Sequence, residues 1–301
     1  MDIFGLLKEA AGKENVLLNE PMKNHTSFRT GGNADYFITP ADTDSLIKVM
    51  KVIKASGMDC LIFGNGSNML VSDRGIEGAV IHIGKNFSDI EIVKDGMIIG
   101  SGALLSAASA EALNNGLSGM EFASGIPGSF GGAVYMNAGA YGSEIKNIVK
   151  WVKVLDSNFE EQLFCGDELC LGYRSSVFQK GGYIILEGMV ELSKGDKDDI
   201  GALMNELNAK RRQKQPLNFA SAGSTFKRPE GCFAGKLIED SGLKGITIGG
   251  AQVSEKHAGF IINTGDATTD DILALMEHCR NTVYKKFGVM LEPEVKFVGR
   301  A

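Results

Sequence analysis

The stretch GIPGSFGGAVYMNAGAYG occupies residues 125–142 and is unlike an ordinary turn. Six of its 18 residues are glycine and none is charged, so the backbone is largely bare over the whole length. Ordering a loop of this size costs conformational entropy that its own small side chains do not offset. We therefore expect residues 125–142 to form a loop against which a flat ligand lies.

A shorter glycine loop, GNGSN at residues 64–68, follows directly after the apolar run at residues 60–63. A strand that ends in G-x-G suggests a dinucleotide-binding fingerprint, but Met69 stands where the third glycine belongs and no helix start follows. The loop does offer bare backbone N–H groups with amide and hydroxyl donors, which suit a pyrophosphate. A tight turn between two strands is the alternative interpretation.

The composition excludes several classes of protein. The chain has 301 residues, 44% of them hydrophobic and 23% charged, which is enough for two or three domains with a sizeable core. The net charge of -6 argues against a nucleic-acid partner. Five scattered cysteines without a C-x-x-C pair, and four separated histidines, predict neither disulfides nor a metal site. With no signal-peptide pattern and no membrane-spanning apolar stretch, we expect a reduced, soluble, cytoplasmic monomer without a membrane partner.

Helical and strand-like patterns alternate along the chain. Apolar residues at steps of three and four predict helices at residues 42–56, 104–115, 198–212 and 269–287. Strand-like runs lie at residues 35–38, 60–63, 79–83, 90–93, 97–99, 151–155, 183–192, 260–263 and 295–298. The predicted class is α+β, with one part at residues 1–82, a strand-rich part at 83–212 and a final part at 213–301.

Seven motifs, in order along the chain, resemble the UDP-N-acetylenolpyruvoylglucosamine reductase family. They are NHTSFRTGG (24–32), GNGSN (64–68), the long loop (125–142), GYRSS (172–176), AGSTFK (222–227), AGKLIE (234–239) and LEPEV (291–295). The resemblance implies an FAD-binding domain of the vanillyl-alcohol-oxidase type in two α/β parts. A smaller C-terminal α+β substrate domain follows, and the last strand can return to the FAD domain.

The resemblance also implies the activity. NADPH reduces a non-covalently bound FAD, and the enolpyruvyl ether of UDP-N-acetylglucosamine is then reduced to UDP-N-acetylmuramate, a peptidoglycan precursor. The family's cofactor positions fall on Thr30, Gly31, Gly64, Asn65, Gly66, Ser67, Asn68, Ser129, Gly131, Gly132 and Asn137.

Three residues match the catalytic positions of the family. Hydride addition to the methylene carbon puts negative charge on the neighbouring carbon and its carboxylate, which the site must stabilise. Arg174 would hold that carboxylate as a permanent cation, and Ser224 would donate the proton with help from Lys227 or Arg174. Glu294 would be a second polariser with a raised pKa, and Glu292 would share its strand face. Taken alone, Arg174 would be interpreted as a partner in a surface salt bridge, Ser224 as a turn serine and Glu294 as an edge-strand glutamate.

Substrate binding is less specified. The candidates are Tyr141, Arg211, Lys227 and His257. Residues 188–216 hold no inserted tyrosine-bearing loop, which indicates the shorter branch of the family, and Arg228 stands where that branch has asparagine. Two alternatives stay open: a flavin oxidase on the same scaffold, although residues 125–142 offer no His or Cys for a covalent tether, and a non-catalytic nucleotide-binding protein.

Overall fold

The structure is a computed structural model that describes residues 2–300. The backbone forms two compact units, each built from separate stretches of the chain. The first unit comprises Met1–Leu17, Tyr36–Asn65 and Ala79–Lys210. The second unit comprises Leu18–Asp35, Gly66–Gly78 and Arg211–Ala301. The part boundaries predicted at residues 82 and 212 stay predictions.

The regular elements of the described residues are as follows. The α-helices are α1 (Ile3–Ala11), α2 (Thr43–Ser56), α3 (Leu105–Asn114), α4 (Phe130–Met136), α5 (Lys197–Lys214), α6 (Ala234–Asp240) and α7 (Thr269–Phe287). The strands are β1 (Val16–Pro21), β2 (Asn33–Ile38), β3 (Cys60–Phe63), β4 (Met69–Val71), β5 (Ile76–His82), β6 (Ile90–Val93), β7 (Gly96–Gly100), β8 (Leu117–Ser118), β9 (Gly139–Ala140), β10 (Ser143–Glu144), β11 (Val149–Leu155), β12 (Glu161–Cys165), β13 (Ile184–Glu191), β14 (Ser193–Lys194), β15 (Thr247–Ile248), β16 (Ala251–Val253), β17 (Ile261–Asn263) and β18 (Lys296–Val298).

The first unit contains an antiparallel sheet in the order β12-β11-β13-β7-β6. Buried and less buried residues alternate along β13, as expected of a strand that packs one face on a core. That core includes Met97 and Val152 from the sheet, with Phe130 and Val134 of α4 against them. A second core packs α1 and α2 through Leu7 and other side chains onto β5, whose Ala79–His82 stretch runs parallel to β3. β5 belongs to a four-stranded sheet in the order β1-β2-β5-β3.

The second unit is built around α7. Its buried face carries Leu275, Cys279 and Val283, each fully buried in one apolar cluster. The antiparallel sheet β15-β16-β17 contributes to the same cluster, and β18 pairs in parallel with β4. α7 starts at a capping box on Thr268 and ends at Gly288, which adopts a left-handed conformation.

The structure confirms the α+β class, the four predicted helices and, by overlap, each predicted strand. The prediction of a continuous loop at residues 125–142 is wrong, because α4 lies inside it. Seven residues with two adjacent glycines give no helical periodicity, and α4 forms where its small residues allow close packing. No described helix is long and apolar enough to cross a membrane, and the described residues hold no group of three metal-ligating side chains.

The α7 core predicts a stability difference between two leucines. Leu275→Ala empties a fully buried position and should lower the free energy of unfolding by about 2–5 kcal/mol. Leu203→Ala on α5, where the side chain is 43% exposed, should change it by about 0.5 kcal/mol at most. Urea denaturation of both variants measures this, and equal losses would contradict the described packing of α7.

Candidate functional site

In the first unit, two of the predicted cofactor glycines lie against serines. A Cβ placed on Gly64 would lie 2.1 Å from Ser129 Oγ, and one placed on Gly131 would lie 2.7 Å from Ser101 Cβ. The Gly131 amide donates to the Ser101 carbonyl at 2.8 Å. At Gly131, where the Ser101 carbonyl oxygen also lies 3.1 Å from the added Cβ, a side chain would force a shift of the neighbouring backbone. Gly132, by contrast, is exposed on α4, and a Cβ there would make only an ordinary 3.5 Å contact with Ser129 Oγ.

Two asparagines of the predicted cofactor set hold these loops. Asn65 donates from Nδ2 to the Pro127 carbonyl at 2.7 Å. Asn137 is fully buried and ends α4 in a left-handed conformation, which asparagine tolerates. Its Nδ2 donates to the Gly172 carbonyl, and its Oδ1 accepts from the Lys146 amide, both at 2.9 Å. Asn137 therefore fixes the loop that carries Arg174.

Arg174 lies in a tight turn of the first unit. Gly172 and Ser175 exchange backbone hydrogen bonds across it, and Arg174 adopts a φ of 53°. A left-handed backbone costs a non-glycine residue about 1–2 kcal/mol. Gln179 compensates in part by donating from Nε2 to the Arg174 carbonyl at 3.0 Å. Tyr141, the predicted substrate residue of the same unit, is also left-handed and is 46% exposed.

In the second unit, close contacts leave no room for a side chain at the two remaining glycines of the predicted cofactor set. Gly66 has a φ of 59°, and a Cβ on it would lie 2.1 Å from the His25 carbonyl oxygen. Its own carbonyl accepts from the Ser27 amide at 3.2 Å. Gly31 has a φ of 111°, and a Cβ on it would lie 2.7 Å from Val71 Cβ. These two glycines are required by the fold itself.

The polar members of this group lie beside them. Thr30 is buried and its Oγ1 pairs with Thr269 Oγ1 at 3.1 Å. Asn68 donates from Nδ2 to the Glu294 carbonyl at 3.2 Å and accepts at its own carbonyl from the Lys296 amide. Ser67 is partly exposed between Gly66 and Asn68. Asn68 thus joins this predicted cofactor loop to the segment that carries Glu294.

Ser224 and Glu294 are on paired segments of the second unit. The Glu294 amide donates to the Thr225 carbonyl at 2.8 Å, and the Lys227 amide donates to the Glu292 carbonyl at 2.9 Å. Pro293 lies opposite Phe226, at a position where the ladder requires no N–H from proline.

The environments of the side chains on this ladder differ. Ser224 is exposed, whereas Glu294 is only 8% exposed. The Glu292 carboxylate is exposed and forms an ion pair with Lys227. Glu294 is therefore buried and Glu292 exposed, although the sequence predicts both on the same strand face. The structure brings Ser224 and Glu294 close together, and the convergence of Arg174 with them stays a prediction.

Thr225 fixes this arrangement. Besides accepting from Glu294, it donates its amide to the Gly259 carbonyl at 2.9 Å, and its Oγ1 accepts from the Ile261 amide at 3.0 Å. It is 1% exposed, so these bonds are shielded from water. Two other segments, the one that carries Glu294 and the one at residues 259–261, are thereby held beside Ser224.

The other predicted substrate residues of the second unit have different local surroundings. His257 accepts at Nδ1 from the Gly259 amide at 3.1 Å and packs edge-on against the Phe260 ring. Burial lowers the pKa of His257 below its usual 6.5. Arg211 lies in the last turn of α5. The Arg228 guanidinium lies over the Phe233 ring, 4.2 Å from its centroid.

Three buried serine hydroxyls near glycines of the predicted cofactor set have no hydrogen-bond partner among the described residues. They are Ser27 Oγ, Ser101 Oγ and Ser129 Oγ. A buried hydroxyl without a partner costs about 1–3 kcal/mol. A polar ligand with acceptor oxygens would satisfy such groups. The sequence predicts neither Ser27 nor Ser101 as a site residue, although Ser27 lies inside the NHTSFRTGG motif.

Two sequence models of known families match the chain. Residues 215–298 match the C-terminal domain of UDP-N-acetylenolpyruvoylglucosamine reductase, and residues 34–160 match an FAD binding domain. The UDP-N-acetylenolpyruvoylglucosamine reductase of Clostridioides difficile is 50% identical over 298 residues, covering 99% of this chain and 98% of that protein. That of Agathobacter rectalis is 51% identical over 296 residues, covering 94% of each.

Solved structures agree. The reductase (MurB) of Thermus caldophilus superposes with a TM-score of 0.80 at 33% identity, covering 94% of this chain and 97% of that one. The glucose dehydrogenase Phl p 4.0202 superposes with a TM-score of 0.54 at 12% identity, covering 96% and 64%, and shares the fold alone. These similarities confirm the predicted fold class, a flavoprotein domain of the vanillyl-alcohol-oxidase type with a smaller C-terminal α+β domain.

Gly131 and Gly132 form a matched pair for testing the close packing of α4. Gly131→Ala puts a Cβ against Ser101 and should lower the free energy of unfolding by about 1–3 kcal/mol. Gly132→Ala should leave it unchanged or raise it by about 0.5–1 kcal/mol, because alanine favours the helix. Chemical denaturation measures both, and a larger loss for Gly132→Ala would contradict the described orientation of α4.

The lowered pKa of His257 predicts a pH dependence of stability. Because folding disfavours the charged imidazole, the unfolded chain takes up a proton first as pH falls below about 6.5, and stability is lost there. His257→Asn keeps an acceptor near Gly259 N and removes the titration, so its unfolding free energy should fall less steeply than that of the wild type from about pH 7 to about pH 5. Parallel slopes would disprove this.

Proposed function

The chain belongs to the UDP-N-acetylenolpyruvoylglucosamine reductase family, and we propose that it reduces the enolpyruvyl ether of UDP-N-acetylglucosamine to UDP-N-acetylmuramate, with FAD as cofactor and NADPH as electron donor. The observation that carries the proposal is the ladder that holds Ser224 and Glu294 on paired segments although they lie far apart in sequence. The enzyme would act as a cytoplasmic monomer in peptidoglycan precursor synthesis.

The residues present fit FAD. Gly64 and Gly131 let the backbone pass close to Ser129 and Ser101, whose buried hydroxyls lack partners among the described residues, and Ser27 repeats the pattern beside Gly66. Buried hydroxyls of this kind can donate to the oxygens of a dinucleotide. We assign the cofactor to these residues with Thr30, Gly31, Asn65, Ser67, Asn68, Gly132 and Asn137. When bound, FAD supplies the hydride that the reduction requires.

Arg174 and Glu294 are assigned to the substrate carboxylate. The planar guanidinium of Arg174 can hold a carboxylate with two parallel hydrogen bonds. Its turn is fixed by Gly172, Ser175 and Gln179, so the backbone from which the side chain extends has a defined conformation. The nearly buried carboxyl of Glu294, when it carries a proton, donates a second hydrogen bond to the same carboxylate. Together they favour the charge that develops in the transition state.

Ser224 is assigned to proton delivery. Its exposure leaves the hydroxyl accessible to a substrate carbon, and Thr225 fixes its backbone. The proton goes to the carbon next to the carboxylate, and a hydride and a proton are thereby added across the double bond. Lys227, three residues later on the same segment, is an assigned cation and forms an ion pair with Glu292. We assign Tyr141, Arg211, Lys227 and His257 to the UDP-sugar.

An anaerobic experiment tests the function. The purified protein should show a flavin absorption band, NADPH should bleach it, and the enolpyruvyl sugar nucleotide should restore it with formation of UDP-N-acetylmuramate. A colourless protein that FAD does not restore would refute the flavin assignment. Reoxidation by oxygen but not by this substrate would indicate an oxidase, and nucleotide binding without turnover would indicate a non-catalytic protein.

Ser224→Ala tests the proton donor. Bleaching by NADPH should be normal, and reoxidation by the enolpyruvyl substrate should slow by about 10²–10⁴-fold, the usual contribution of a positioned acid. Ser221→Ala, three residues earlier on the same segment, is the control and should reoxidise normally. A normal reoxidation rate in Ser224→Ala would remove Ser224 from this role.

A further inference from the structure

Asn263, at the end of β17, makes more side-chain hydrogen bonds than its place in a short strand requires. It is 6% exposed. Its Oδ1 accepts from the amides of Gly265 and Ala267, at 2.8 and 3.1 Å, and its Nδ2 donates to the Phe28 carbonyl at 3.0 Å. Its amide group is therefore engaged at both ends, and only this orientation of the amide satisfies all three partners.

The Phe28 carbonyl lies in the middle of a turn that carries predicted cofactor residues. The Arg29 amide donates to the Thr26 carbonyl at 3.1 Å, and Thr26 Oγ1 donates to the Thr30 carbonyl at 3.2 Å. Arg29 adopts a φ of 57°, an unfavourable value for a residue with a long side chain. Such a conformation persists only when its surroundings fix it.

The same turn is also hydrogen-bonded to Gly66 of the shorter glycine loop at residues 64–68. Ser27, the residue before Phe28, donates its amide to the Gly66 carbonyl, and its buried hydroxyl has no partner among the described residues. The hydrogen bond that the Phe28 carbonyl accepts from Asn263 Nδ2 is thus made between Ser27 and Thr30 in the chain.

We propose that Asn263 is the positioning residue of the cofactor-binding turn at residues 26–31. Its Nδ2 orients the Phe28 carbonyl so that the Ser27 hydroxyl, Thr30 and Gly31 keep the conformation that binds FAD. The inference rests on the proposed function and extends it to a residue that does not itself touch the cofactor.

Asn263→Asp tests the donor end of the side chain separately from its acceptor end. An aspartate keeps an acceptor for the Gly265 and Ala267 amides, but it turns a carboxylate oxygen toward the Phe28 carbonyl in place of the donor. Asn263→Ala removes both ends. We expect the dissociation constant of FAD, titrated into apoprotein, to rise by about tenfold or more in both variants, as the loss of one buried hydrogen bond permits. Amide exchange in residues 26–31 of the apoprotein should accelerate in both.

Val283→Ala is the matched control, because it truncates a fully buried side chain of the same unit on α7. It should lower the melting temperature while FAD affinity stays within about twofold of wild type. Equal weakening in Val283→Ala and Asn263→Asp, or wild-type affinity in both Asn263 variants, overturns the proposal and leaves the function standing. A wild-type protein that does not bind FAD overturns the proposed function and this proposal together.

Discussion

The hydrogen bonds of Thr225 are the interaction on which the candidate catalytic arrangement depends. Its carbonyl takes the Glu294 amide, its amide reaches Gly259, and its hydroxyl takes the Ile261 amide. Because these groups are nearly inaccessible to water, an unmade bond would leave a buried polar group unsatisfied. The register of three segments is therefore set at one residue, and the side chain before it, Ser224, is placed by backbone geometry alone.

The sequence predicted elements well where local signals are strong. The helix at residues 269–287 has the bounds of α7, because a capping threonine precedes it and Gly288 ends it. α4 was missed because its stability comes from the approach of Gly131 to Ser101, a contact between distant residues. The pairing of Ser224 with Glu294 is likewise a tertiary fact. Family resemblance named both residues, but no local pattern could place Glu294 in a buried position and Glu292 in solvent.

The glycines of the predicted cofactor motifs differ in the physical reason for being glycine. Gly31 and Gly66 have positive φ angles and meet neighbouring atoms where a Cβ would be, so packing within their own unit explains them. Gly132 has neither constraint, being exposed with room for a methyl group. The sequence alone does not distinguish Gly31, Gly66 and Gly132. Physical contacts divide them into glycines that the fold requires and one whose bareness suits a ligand.

The buried hydroxyls of Ser27, Ser101 and Ser129 have a consequence for the lifetime of the protein in a cell. A chain with these groups unsatisfied is less stable than one in which a ligand satisfies them, and ligand binding raises stability by mass action. Proteases remove the unfolded fraction of a marginally stable protein. With its cofactor on these hydroxyls, the abundance of this protein would be coupled to cofactor supply, and a shortage would shrink the pool of chains and leave few idle apoproteins.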